Sequence, residues 1–451
     1  MAGAERVMLS PPTRRVLLLQ GPPTPFFSVL ERAFVEAGVP VRRVLLNAGD
    51  SLRAGRRGIP FRGTLAGFED FLEDTMLREG ITDVLYFADR VPYHRLAEEV
   101  AGRLGAIPYA IENGYLRPDW LTLEPGGMGA FSRFPADRTS IMRIAEGAPA
   151  VDEAVLYGHA FPLEAWYDVS YNLVRLLGTP RYPHFEADRP QSPVLEYVSW
   201  LPQLVRRQVA QARAPGQLRR LVEDGRPFFF LPLQLQEDYQ IRHNSPWRHL
   251  PDFLDEVLAS FARAAPDEAK ILVKIHPLDN GLQRWPRTIA RLTRRHGLAG
   301  RVVMLSAGSL TDMLGHCRGV VLVNSTVGVH ALRALKPTKT LGVAVYDMDG
   351  LTDPQPLDGF WSAPRAPEPA IVDAFVRALA RATQLKGSFY DPEGMRAGAA
   401  EIVARVIAGI GAGSFFEPVP PRLPRARAMG VAIPPPLSRR QGAVEHATRL
   451  W

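Results

Sequence analysis

The sequence predicts an α/β protein built from two Rossmann-like domains in tandem. Three observations carry this expectation. Short apolar strands without polar alternation recur along the chain, among them "RVLLLQG", "DVLYFA", "KILVKI" and "GVVLVN", and such strands are buried on both faces. Helical stretches separate them at the spacing of strand–helix–strand units, which implies parallel sheets covered by helices. The series runs twice, with a looser stretch between, and 451 residues are too many for one core.

In the first series "RVLLLQG" (15–21) is a strand ending in a turn, and "FFSVLERAFVEAG" (26–38) has helical spacing and a glycine stop. "VRRVLLN" is the second strand. A helix follows over about 65–79, then the strand "DVLYFA" (83–88), a helix over about 94–104 and the strand "IPYAIE" (107–112). Pro and Gly interrupt "LEPGGMGAFSRFPAD", which reads as loop. Helices are expected over about 152–177 and 194–212, joined by "GTPRYPHFEADRPQSP" as connecting chain.

The second series opens at Pro227 with "PFFFLPL". Its further strands are "KILVKI" (270–275), "RVVML" (301–305), "GVVLVN" (319–324) and "TKTLG" (338–342). Helices fit between them at about 247–264, 281–296, 310–316 and 327–335, and two more cover about 369–384 and 393–410. The expected boundaries are 1–190 for the first domain, 191–226 for a connecting helical segment and 227–385 for the second domain. A C-terminal helix (386–414) and a Pro/Arg-rich tail (415–451) complete the chain. No sequence-level repeat links the two domains.

Composition narrows the function classes. With 46% hydrophobic and 22% charged residues the chain reads as a soluble globular protein. No apolar run approaches the roughly 18 residues of a membrane-spanning helix. "MAGAERVMLSPPTRR" lacks a signal-peptide core, so a cytoplasmic location is expected. Cys317 is the only cysteine, which excludes an internal disulfide and a Cys-based zinc site. The net charge of +7 comes mostly from arginine. It suits an anionic substrate or an anionic membrane surface as well as nucleic acid. Zinc-finger spacing, RNP-like motifs and aromatic–basic ladders are missing, so no nucleic-acid partner is expected. The tail, with Arg422, Arg425, Arg427, Arg439 and Arg440, cannot form a core. It reads equally as a solvated tail and as a contact for anionic lipid headgroups.

Ligands of such sheets bind beyond the carboxyl ends of the strands. After "VVLVN" come Asn324, Ser325 and Thr326 at a helix start, with Gly328 in the first turn. Hydroxyls and free backbone N–H groups there suit a phosphate, and simple N-capping is the plainer reading. After "KILVKI" come His276 and Pro277, with Lys274 on the same face as His276. Together they offer charge to a phosphate. After "PFFFLPL" the stretch "QLQEDYQIRHNSPW" places Gln234, Asp238 and Arg242 four residues apart, one face of a helical turn. A carboxylate between an amide and a guanidinium favours its ionised form, which suits a nucleophile or an electrostatic stabiliser; the plainer reading is an acidic first turn at a helix start. In the first domain "IENGYLRP" places Glu112 at a strand end, followed by Gly114, Tyr115 and Arg117. Glu112 facing Asp238 gives the two carboxylates of a retaining glycosyl transfer; alone, it is a capping glutamate. Three lookalikes carry less. "GIGAG" (409–413) follows a helix rather than a strand and reads as a helix stop. "DMDGLTD" (347–353) lacks the third early acid and the closing glutamate of a calcium loop, and no metal is expected. "GGMGA" sits in irregular chain.

Taken together, the motifs resemble the capsular polysaccharide β-Kdo transferases of Gram-negative bacteria. The resemblance rests on "LLLQGPPTPFF", "LNAGDS", "IENGYLRPDWLTLE", "PLQLQEDYQIRHNSPW", "VKIHPLD", "VNSTVGVHAL" and "VAVYDMDGLT", in order from about 16 to 354. It is closest to the single-module starter enzymes. The resemblance implies a GT-B fold, CMP-Kdo as donor substrate with no separate cofactor, and a phosphatidylglycerol-type lipid acceptor at the inner face of the inner membrane. Other capsule assembly proteins are further implied partners. Asp238 is then the nucleophile and Glu112 the acid/base. Gln234, Lys274, His276, Pro277, Asn324, Ser325, Thr326 and Gly328 hold the donor, and Arg242 its sugar carboxylate. The acceptor enters near Gln20, Asn47, Asp50, Tyr115 and Arg117. The family usually has a second acid where this chain has Asn113. The rival expectations are another CMP-sugar transferase, inverting in outcome, and a non-catalytic scaffold of capsule export.

Overall fold

A computed structural model describes residues 14–54, 58–158, 161–188, 193–409 and 415–433. The first sheet draws on β1 (Val16–Leu18), α1 (Phe26–Glu36), β2 (Val41–Leu45), α2 (Ala48–Leu52), β3 (Gly58–Pro60), α3 (Phe68–Glu79), β4 (Asp83–Phe87), α4 (Pro92–Leu104), β5 (Ile107–Asn113) and β6 (Trp120–Pro125). Strands β1 to β5 are parallel in the order β3-β2-β1-β4-β5, and β6 lies antiparallel on β5. Val16 and Leu18 pack with Phe26 and Leu30 on one side; Leu17 packs with Val84, Leu72 and Val100 on the other. Burial on both faces is why these strands show no polar alternation.

Helices α5 (Arg138–Ala145), α6 (Phe161–Leu177) and α7 (Pro193–Glu223) lead to the second sheet. It contains β7 (Phe228–Pro232), α8 (Tyr239–Asn244), α9 (Leu250–Ala264), β8 (Lys270–Lys274), α10 (Trp285–Arg295), β9 (Val302–Leu305), α11 (Leu310–His316), β10 (Gly319–Leu322), α12 (Val327–Arg333) and β11 (Thr338–Thr340). All five strands are parallel, in the order β9-β8-β7-β10-β11, so the plan of the first sheet's parallel part is repeated. Phe228 and Phe230 pack with Leu272 and Val320, while Phe229 and Leu231 turn to α9. Phe229 meets Trp361 edge to face with ring centroids 4.9 Å apart. The two Rossmann-type lobes face each other across a cleft lined from both sides, the expected GT-B arrangement.

The chain then returns to the first lobe. After α13 (Leu357–Ser362) and α14 (Pro369–Ala382), β12 (Gln384–Lys386) pairs antiparallel with β6, and α15 (Pro392–Ala408) packs its Met395, Ala399 and Ile402 into the core beneath α1. The last described element is α16 (Leu423–Ala428).

Four local expectations need correction, each for a physical reason. The stretch read as loop from Leu123 opens inside a strand, β6, which runs to Pro125. Its strand was masked by Thr122 and Glu124, polar yet fully buried, and satisfied by Gln384 and by Tyr115 and Ser132 respectively. Residues 152–157 do not join the helix expected there, because Asp119 Oδ2 accepts the Leu156 and Tyr157 amides and offers an alternative to helical pairing. "GGMGA", read as mere irregular chain, is one of the places where the lobes touch. The Ala130 amide donates to Asn244 Oδ1 at 2.7 Å, and Gly129 has φ +58 with any Cβ only 2.4 Å from that oxygen.

The fourth concerns the tail, which is docked rather than merely solvated over its described part. Arg422 is 2% exposed and donates to the carbonyls of Phe134, Pro135 and Val345. Ala426 and Val431 pack with Ala130 and Val343. Arg425 pairs with Asp347, and Arg427 is exposed. Arg439 and Arg440 lie outside the described residues, as does most of "GIGAG", whose Gly409 is the left-handed C-cap of α15.

Candidate active site

The cleft, about 870 Å³, opens at the carboxyl ends of both sheets. In the second lobe the strand order reverses between β7 and β10, the place where such sheets bind ligands. Gln234 leaves β7 there and Asn324 leaves β10. Gln234 Nε2 donates to Asn324 Oδ1 at 3.1 Å and to Asp238 Oδ2 at 3.2 Å. Asn324 Nδ2 donates to the Gln240 carbonyl at 3.0 Å, tying α8 to the switch point. Asp238 is the N-cap of α8, its Oδ1 accepting the Gln240 amide at 2.9 Å. Gln234 and Asp238 therefore meet through a turn ending in a cap, not along one helix face.

Glu112 reaches the same cleft from β5 of the opposite lobe. Its Oε1 accepts the Asn113 amide at 2.9 Å and Asn113 Nδ2 at 3.1 Å; its Oε2 accepts the Tyr239 hydroxyl at 3.2 Å. The carboxyl is pushed up to about 7. Burial is the main cause and the Asp238 charge adds to it, while the Asn113 amide and Arg117 oppose it. Asp238 is also raised by burial, against its hydrogen bonds from Gln240 and Gln234. Asn113 gives Glu112 two hydrogen-bond donors rather than a second negative charge. Tyr239 was not singled out from the sequence, although it directly follows Asp238. It is the link between the lobes at the carboxylates, with Gln240 Nε2 donating to its oxygen at 2.8 Å.

Lys274, His276 and Pro277 line the second-lobe wall. Burial, with Arg117 and Lys274 nearby, holds His276 down to about 4. Its Nδ1 accepts the Leu278 amide at 3.1 Å, so the proton sits on Nε2. The ring thus offers a neutral donor, and the charge expected from it falls to Lys274, whose ammonium is itself lowered by burial. Ser325 and Thr326 face the cleft. Ser325 Oγ accepts the Val327 amide at 3.2 Å, while Thr326 makes no capping hydrogen bond. Gly328 serves a neighbour: a Cβ there would lie 2.2 Å from the Tyr346 hydroxyl, which donates to the Ser325 carbonyl.

Arg242 lines the cleft, but Asp188 holds its guanidinium at both ends, at 3.1 and 2.8 Å. Arg117 is exposed to the cleft and makes no ion pair among the described residues; its field reaches Glu112, Asp238, His276 and His330. On the acceptor side, Gln20 and Tyr115 line the cleft. Asn47 and Asp50 do not: each is 1% exposed. They form the reciprocal cap of α2, and both bind the Tyr171 hydroxyl, Asn47 Nδ2 at 2.9 Å and Asp50 Oδ1 at 2.7 Å. Their place is beneath the wall, holding Tyr171 and Gln20. Two of the three acids of "DMDGLTD" turn to protein donors, Asp347 to Thr352 at 2.7 Å and Asp353 to the Gln355 and Arg365 amides.

Residues 82–390 match the family model described as capsule polysaccharide biosynthesis protein. The chain is 31% identical over 388 residues to the capsule polysaccharide export protein KpsS of Escherichia coli, covering 84% of this chain and 97% of that one. It is 32% identical over 387 residues to the capsule polysaccharide modification protein LipB of Neisseria meningitidis serogroup B, covering 83% and 91%. Among solved structures it is similar to Thermosulfurimonas dismutans KpsC, a beta Kdo 2,7 transferase, at 17% identity and a TM-score of 0.45 over 88% of this chain and 99% of that one. From the family model and the two sequence relatives, this chain belongs to the capsule polysaccharide biosynthesis protein family.

Proposed function

We propose that this chain is a retaining β-Kdo glycosyltransferase, moving Kdo from CMP-Kdo to a phosphatidylglycerol-type lipid acceptor at the inner-membrane surface to start the linker of a capsular polysaccharide. The observation that carries the reading is the pair of carboxylates from opposite lobes in one cleft, Asp238 fixed by Gln234 and Gln240 and Glu112 titrating at about 7. In the first step an Asp238 oxygen bonds to the anomeric carbon while the bond to the CMP phosphate breaks, and CMP leaves with the electron pair. A phosphate monoester is already a good leaving group, and Lys274, the His276 Nε2–H and the hydroxyls of Ser325 and Thr326 meet its charge. In the second step the acceptor hydroxyl attacks that carbon, its proton passes to Glu112, and Asp238 regains its carboxylate. Glu112 near 7 is poised to take that proton at neutral pH. The donor's own carboxylate is assigned to Arg117 rather than Arg242, because Asp188 already neutralises Arg242.

The test is to incubate the pure protein with CMP-Kdo and a fluorescent phosphatidylglycerol analogue, then determine product mass and anomeric configuration. The expected product is one Kdo added with retention. An inverted product removes Asp238 as nucleophile; CMP binding without any product makes the chain a scaffold.

A further inference from the structure

Helix α6 has the wrong polarity for a surface helix. Its outward positions Trp166, Val169, Leu173, Leu176 and Leu177 are 67, 38, 53, 38 and 73% exposed. At 100° per residue they fall in one stripe roughly 17 Å long with no charged side chain in it. The polar residues of the helix turn the other way. Glu164, Asn172 and Arg175 line the cleft with Tyr171, and Asp168 accepts the Tyr197 hydroxyl at 2.8 Å. A helix on water does the reverse.

What covers this stripe is indicated by its rim. Exposed Arg181 and Arg62 flank Tyr182 just past the C-terminal end of the stripe. Trp and Leu on a ridge flanked by arginine are the composition of a helix lying in a lipid interface, and the chain carries a net +7. A second copy is the poorer occupant, since one five-residue ridge falls well short of the roughly 800 Å² per partner of a stable interface. We propose that the outer face of α6 docks on an anionic phospholipid surface, seating Trp166, Leu173 and Leu177 at the headgroup–acyl boundary while the inner face of the same helix walls the cleft. The docking stands on α6 itself; its use, delivery of a lipid acceptor to the cleft, rests on the function proposed above.

The experiment is co-sedimentation of the full chain with phosphatidylcholine vesicles, with and without phosphatidylglycerol. Wild type is expected on the anionic vesicles only, and less so at high salt. The double variant Trp166→Glu, Leu173→Glu, and its milder form Trp166→Ser, Leu173→Ser, should lose about tenfold or more of that binding with thermal unfolding unchanged. Unaltered vesicle binding overturns the proposal. So does a variant whose only effect is to turn a dimer into a monomer in light scattering, which would make the occupant a second copy. With a water-soluble short-chain acceptor analogue the double variant should turn over like wild type, and lose transfer only to vesicle-embedded acceptor. If wild type transfers nothing to either acceptor, the catalytic reading falls while the vesicle result stands.

Discussion

Asp238 has a structural task besides its place in the cleft, because its Oδ1 caps α8. Asp238→Ala therefore mixes two effects, a lost nucleophile and a lost cap of about 1 kcal/mol. Asp238→Asn keeps an acceptor for the Gln240 amide and removes only the nucleophilic charge. We expect it to lower kcat by about a thousandfold or more, with thermal unfolding within the error of wild type; near-normal turnover would exclude the nucleophile assignment. Glu112 makes its own prediction through pH. Acting as base it must be ionised, so turnover should rise as pH passes about 7, and Glu112→Gln should flatten that limb and cripple kcat while leaving CMP affinity in calorimetry unchanged. The same shift has a cost in stability. A folded-state value raised from 4.5 to about 7 means the unfolded chain gives up its proton first. Stability from this group is thus present below 4.5 and lost as pH rises to about 7. Glu112→Gln removes that loss, so above pH 7 the inactive variant should be the more stable, by up to about 3 kcal/mol.

Among elements, the parallel strands and the helices between them were legible because each carries its own signal: unbroken apolar runs such as "FFFLP", and helical spacing with Gly or Pro at the ends. What stayed hidden depends on partners distant in sequence. β6 needs Gln384 to satisfy Thr122, and β12 exists only because β6 offers it an edge. The site divides in the same way. Glu112 stands at the carboxyl end of β5 and Asp238 in the loop after β7, where topology alone directs ligands. The use of Asn47 and Asp50 as supports is set by Tyr171, more than a hundred residues away. Gly328 stands in the first turn of the expected phosphate site, and its lack of a Cβ makes room for Tyr346. Gly328→Ala should therefore push Tyr346 off the Ser325 carbonyl and displace the loop 324–326. The expected result is a severalfold rise in KM for the donor with a fall in stability of about 1–3 kcal/mol. If only KM moved, the contact with Tyr346 would not be what the glycine protects.

At the scale of the whole molecule, Leu116, Phe134 and the buried face of α5 pack in one apolar cluster with the second sheet and α14, and a strap from the C-terminal segment adds a polar tie between the lobes. Arg422 reaches the Phe134 and Pro135 carbonyls of the segment leaving the first sheet and the Val345 carbonyl of the second lobe. Burial lowers its guanidinium to about 10, against the pull of Glu124, so it remains charged at neutral pH and its three acceptors keep a charged donor. Beside it, Ala426 and Val431 close over Ala130 and Val343, where Asn244 binds the Ala130 and Val343 amides. Arg422→Ala strands those carbonyls and should cost about 2–4 kcal/mol, a fall of a few degrees in Tm for a chain this long. The location of the effect is the sharper check. In hydrogen exchange the Ala130 and Val343 amides should lose protection while β7 and β8 keep theirs, because the strap ties the lobes and contributes nothing to the sheets themselves. Equal loss across both sheets would mean that Arg422 supports the second core and that the lobes are held together elsewhere.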